Sequence, residues 1–199
     1  MPLTQQEAQQ IAERISPIFT EVLDQYDFRK YPAAQYARFK RAFSTLRSTG
    51  HDIADALLWK WGHWGKQNYP QSHGDLINEV RDLWPRFLGS SRHFTSSQTF
   101  DWWRTQLARN TTYISVAYIT HLIHHAEPLP IIDQHNYRAM NALLRSVRPA
   151  HRGNKRPSQW GHIIELKEFM TAVLPLMEGR SFEELDRFLM MYGKNHVAR

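Results

Sequence analysis

Hydrophobic positions recur at helical spacing along almost the whole chain, and no segment sustains the period-two alternation of a half-buried strand. Ile11, Ile15, Ile18, Phe19 and Leu23 share one face of a helix running to about Tyr26, opened by Thr4 and Glu7 at capping-box spacing. Pro17 lies inside that run and predicts a kink or a division. After Tyr31-Pro32 the period resumes through Tyr36, Phe39, Phe43 and Leu46, with Gly50 as the expected stop. Asp52 is the expected cap of a short helix ending near Gly62. A further helix is predicted from about His73 to Phe87, with Pro85 disturbing its end.

Leu88 to Ser97 reads as a polar link in which Ser96 or Ser97 caps the helix carrying Phe100, Trp103 and Leu107. From Tyr113 to Ile123 the chain is apolar nearly all round, which predicts a central, buried helix opened by Thr111 or Thr112. Asp133 is placed to cap a helix carrying Tyr137, Met140, Leu143, Leu144 and Val147. Ser158 is the expected start of a long helix through Trp160, Ile163, Leu166 and Met170. Ser181 and Glu184 have capping-box spacing ahead of a final helix. The pattern predicts an all-α fold: one domain over residues 1–199, divided at most into two helical lobes with the cleft between them.

Composition narrows the function classes. Of 199 residues, 42% are hydrophobic and 13% aromatic, ample apolar surface for a core. There is no cysteine, which excludes disulfides, thiolate metal sites, iron–sulfur clusters and a cysteine nucleophile. No apolar run approaches the roughly 18 residues that span a bilayer, and the N-terminal residues lack a signal-peptide pattern. The expectation is a cytoplasmic protein without a membrane partner or an obligate protein partner. Lysine and arginine outnumber acids 25 to 19, a formal charge of +6, which makes a polyanion the natural partner.

The segment richest in chemistry is Leu129-Pro130-Ile131-Ile132-Asp133-Gln134-His135-Asn136-Tyr137-Arg138-Ala139-Met140-Asn141. An apolar approach ends at an acid, and His135, Arg138 and Asn141 follow two, five and eight positions later. By itself Asp133 reads as a helix cap. The spacing, however, resembles the Asp-x-His-x-x-Arg-x-x-Asn motif of the helix-hairpin-helix DNA glycosylase superfamily, and Ala117 stands sixteen positions before Asp133, as in that family. The likeness covers roughly residues 95–147.

This resemblance implies that Asp133 is a catalytic carboxylate facing a flipped-out nucleotide, where it would stabilise a cationic sugar as the glycosidic bond breaks. His135, Arg138 and Asn141 would support the site. It further implies double-stranded DNA as partner, excision of a damaged or modified base as the reaction, and no cofactor.

The chain departs from the family in three places. The family's Leu-Pro-Gly-x-Gly hairpin is replaced by Arg109-Asn110-Thr111-Thr112-Tyr113, so phosphate binding there would fall to Thr111, Thr112 and the following helix N-terminus. Bifunctional members carry a lysine nucleophile eighteen positions before the aspartate, where this chain has Ser115, and no lysine lies between Lys66 and Lys155. Lyase activity is therefore not expected. The family's iron–sulfur ligands are missing with the cysteines. The expectation is a divergent, monofunctional branch; its alternative is a non-enzymatic DNA- or RNA-binding module of the same fold.

Three further clusters carry candidate chemistry. Arg148, Arg152, Lys155 and Arg156 follow Arg145 in an acid-free segment that suits phosphate or serves as a solvated loop. His121 and His125 stand one helical turn apart, a spacing that suits a metal-dependent hydrolase or a histidine-rich helix end. Trp59, Trp61 and Trp64 lie among Lys60, His63 and Lys66, readable as a base-stacking platform or, preferably, as core.

Overall fold

The computed structural model describes residues 2–91, 93–107, 112–153 and 156–198, and every regular element among them is helical. In chain order the α-helices are α1 (Gln5–Ile15), α2 (Phe19–Leu23), α3 (Ala33–Ser44), α4 (Gly50–Lys60), α5 (Gln71–Ser90), α6 (Ser96–Gln106), α7 (Tyr113–Ile123), α8 (Gln134–Val147), α9 (Trp160–Val173) and α10 (Phe182–Asn195). The fold is all-α. It divides into two compact units: Met1–Tyr26 with Pro128–Arg199, and Asp27–Glu127.

In the first unit, α1 begins at the capping box of Thr4 and Glu7. Pro17 divides the run as expected, leaving a 3₁₀ turn at Ser16–Ile18 before α2. Val22 is buried with Ile11, Ile15 and Phe19, and Leu23, expected on that face, is half-buried: at 3.6 residues per turn Val22 falls about 20° from Ile11 and Leu23 about 120°. Phe19 stacks on Phe188 of α10, ring centroids 4.7 Å apart. Helices α8 and α10 pack closely at Gly193, where an added Cβ would stand 1.9 Å from the carbonyl oxygen of His135.

In the second unit, α7 is buried along most of its length, with Val116, Tyr118, Ile119 and Leu122 inside. Helices α3, α4 and α6 pack on it. Several boundaries differ from the pattern's expectation because the capping residue lies further upstream. Thr49, not Asp52, caps α4, and Asp52 closes the box from the third helical position. Thr95 with Gln98 does the same for α6, in place of Ser96 or Ser97. Gly50 therefore begins α4, while the left-handed position after α3 is taken by Leu46, at φ 55°. Pro85 lies inside α5, which continues to Ser90 because Trp84 and Phe87 on either side are both buried and hold the helix against the core. In the first unit, Gln159 occupies the cap position of α9, and Ser158 donates its backbone N–H to His162 Nδ1 at 2.9 Å.

Candidate functional site

Asp133 is the N-cap of α8, in extended backbone. Its Oδ1 accepts the backbone N–H groups of His135 at 2.7 Å and Asn136 at 3.1 Å. Asn136 returns the favour, its Oδ1 accepting the N–H of Asp133 at 2.8 Å. The side chain of Asn136 is buried and donates from Nδ2 to the Ile131 carbonyl and to Asp186 Oδ1, at 3.1 and 3.0 Å. Asp186 Oδ2 accepts the N–H of Ile131. The approach strand of chain and the first turn of α8 are thus locked to α10 by a buried network, with Asp133 half-buried at its end.

The other motif residues hold α8 in place. Arg138 donates to the Gly193 carbonyl from both Nε, at 3.0 Å, and a terminal nitrogen, and lies 3.2 Å from His135 Nδ1. Asn141 is buried; its Nδ2 donates to the Tyr137 carbonyl and its Oδ1 accepts from His151 Nε2 at 2.7 Å. Gly153 lies so close that a Cβ there would collide with Asn141 Oδ1. Asn141 therefore anchors the start of the basic loop.

That loop is not uniformly available to phosphate. Arg148 binds Glu7 in a bidentate pair, with Nε to Oε1 and a terminal nitrogen to Oε2 both 2.6 Å, and also donates to the Pro2 carbonyl. The guanidinium and the Thr4 N–H hold Glu7 far below the ordinary 4.5, at about 2, and Glu7 in turn raises Arg148. Arg152 and Arg156 are exposed, while Lys155 lies outside the described residues. Burial, then Arg145 and Arg148, lower the pKa of His151.

Beside the loop, α8, α9 and the N-terminal Pro2 and Leu3 line a partly open pocket of about 180 Å³, whose polar wall includes Asn141, Arg148, His151, Arg152, Glu165 and Glu168. Tyr137, also on its wall, donates its hydroxyl to Glu165 Oε2 at 2.8 Å. Asp133 does not line this cavity. Nothing in the sequence pattern had marked Glu165, Asp186 or Gly193; only the Asp133–Asn136 box had a local signature, an N-cap residue followed three positions later by an amide.

The remaining candidates are dispersed. Arg109 and Thr111 of the replaced hairpin lie outside the described residues, and Thr112 is buried with its hydroxyl donating to the Leu107 carbonyl at 2.9 Å. A hydroxyl committed inward does not present itself to a phosphate. His121 is buried between the rings of Tyr36 and Tyr118, with Nε2 2.5 Å from the Tyr36 hydroxyl, whereas His125 is exposed. Among the described residues no three histidines or acids gather as a metal site. Trp59 is core, and Trp61 and Trp64 are half-buried. Comparison of the chain with family models, with curated proteins and with solved structures gives no match.

Proposed function

We propose that this chain is a DNA-binding protein of the helix-hairpin-helix glycosylase type, hydrolysing the N-glycosidic bond of a damaged or modified base, with Asp133 as its carboxylate. The observation that carries this reading is the division of labour in the motif. Arg138 and Asn141 fix α8, and Asp133, whose Oδ1 caps that helix, stands half-buried at its start on a backbone that the Asn136–Asp186 pair holds. A carboxylate held rigidly before its substrate arrives stabilises developing positive charge without reorganising. In the reaction the C1′–N bond would break with its electron pair leaving on the base. Water would add to C1′, its proton passing through Asp133 to the departing base, and Asp133 would face the cationic sugar and orient that water.

A second reading, a non-enzymatic nucleic-acid-binding module, is favoured by the completeness of the Asp133 capping box, which accounts for the residue without catalysis. Asp133→Asn separates the two, because asparagine caps about as well as aspartate. A panel of lesion-bearing duplexes identifies the substrate base first. On that substrate the variant is expected to keep its melting temperature and lose excision by about 10²–10³-fold. Excision at the parent rate, or no excision of any lesion by the parent, would leave the binding-module reading standing.

A further inference from the structure

The acids of the second unit are unevenly distributed. None lies in 28–51 or in 56–74, while those two stretches hold eight lysines and arginines and three histidines. The structure brings the start of the first stretch against the loop in the middle of the second. The chain turns at Gly62, in left-handed backbone at φ 69°, and the space a Cβ would take is filled by the end of Lys30 and the Tyr31 hydroxyl. Around this turn the rings interleave. Trp61 stacks on His73 at 4.0 Å, His63 lies 5.2 Å from His73, and Tyr69 lies 6.5 Å from His63.

The cluster is open to a ligand and rich in cations, with Asp27, whose Oδ1 accepts the Lys30 N–H at 3.2 Å, the acid beside Lys30. Tyr69 is 37% exposed, one of only two large hydrophobic side chains so placed among the described residues, and Lys30 and Lys66, whose charges both act on His63, are exposed. The Nδ1 atoms of His63 and His73 are buried and meet no hydrogen-bond partner among the described residues. Burial, then Lys66 and Lys30, push His63 below the ordinary imidazole range, and burial with His63 does the same for His73.

We propose that Lys30, Trp61, His63, Lys66, Tyr69 and His73 form a binding site for single-stranded nucleic acid, with Tyr69 stacking on a base and the two lysines holding flanking phosphates. Aromatic rings set among cations suit a single strand, whose unpaired bases expose their faces, better than a duplex, which hides them. The site does not rest on the glycosylase reading and shares no residue with the Asp133 motif.

The test is a titration of the full-length protein with a fluorescent 12-nucleotide oligothymidylate, with an abasic strand of equal length, and with vesicles of phosphatidylserine and phosphatidylcholine. Tyr69→Ala removes an exposed side chain and should weaken oligothymidylate binding about tenfold, from the loss of one stacked base, while barely changing the abasic strand. Lys30→Gln with Lys66→Gln should lower the magnitude of the log–log salt slope by about 1.4, or 0.7 for each phosphate contact. Equal binding of the abasic strand and oligothymidylate, insensitivity to Tyr69→Ala, or a preference for the vesicles would overturn the proposal.

Discussion

Glu7 and Arg148 are 141 positions apart, and their pair joins the N-terminal capping box to the end of α8. The carboxylate also accepts the N–H and hydroxyl of Thr4, so one side chain closes the helix start and binds the guanidinium. Its folded pKa of about 2 lies below the ordinary 4.5. A depressed carboxylate contributes stability that is fully present above its unfolded pKa and is lost as pH falls through the folded one. Thermal melts of the parent should therefore lose stability between pH 4.5 and about 2. Glu7→Gln should be less stable than the parent at neutral pH and show a flatter acid limb. Parallel curves for the two proteins would remove the pair from the acid response. At the same scale, Asp133 shows how little a residue's cap geometry says about chemistry: the cap neither requires nor forbids the catalytic role proposed for it.

Between helices, the crossing of α8 and α10 depends on one missing side chain. Gly193 lets the backbones approach until a Cβ would lie 1.9 Å from His135 O and 3.2 Å from Ala139 Cβ. The nearer obstacle is backbone, which cannot rotate away. Gly193→Ala should cost about 3 kcal/mol by overpacking, read as a lowered denaturation midpoint. Because Arg138 and the Asn136–Asp186 pair span the same junction, it should also impair any activity that needs Asp133 in place. Gly89, in α5, is the contrast, since nothing lies within 4 Å of its Cβ position. Gly89→Ala should stabilise by about 0.5 kcal/mol through the unfolded chain's lost freedom.

Over the whole molecule the positive charge is concentrated in one unit. Residues 27–127 carry thirteen lysines and arginines against eight acids, and the other unit twelve against eleven. Any electrostatic attraction of a polyanion would therefore fall mainly to the second unit, although the motif read from the sequence lies in the first. The second unit is continuous in sequence and has its own core around α7, with Trp59, Phe87 and Trp103 buried. Expressed alone, residues 27–127 should be helical by circular dichroism and melt cooperatively. Residues 128–199 alone should not, because α1, which packs on α8 and α9, would be missing. A fragment of 27–127 without cooperative melting would show that its core needs the rest of the chain.

The helices and most of their starts were legible in the sequence because those signals are local. A capping box joins residues three positions apart, and the apolar period of Tyr113–Ile123 specifies burial without naming what covers it. The likeness of Asp133, His135, Arg138 and Asn141 to a known motif was legible for the same reason: all four sit on one helix and its cap. What each does for the fold was decided only by tertiary structure. Asp186 reaches Asn136 across 50 positions, Gly193 receives Arg138 across 55, and Glu7 takes Arg148 out of the basic loop across 141. Such pairings leave no periodic trace, because a polar side chain is partnered by whatever packing brings within hydrogen-bond reach. The cluster around Gly62 was half visible for that reason: its tryptophans and Lys66 adjoin in sequence, whereas Lys30 arrives only when the chain folds back to fill the space the glycine leaves.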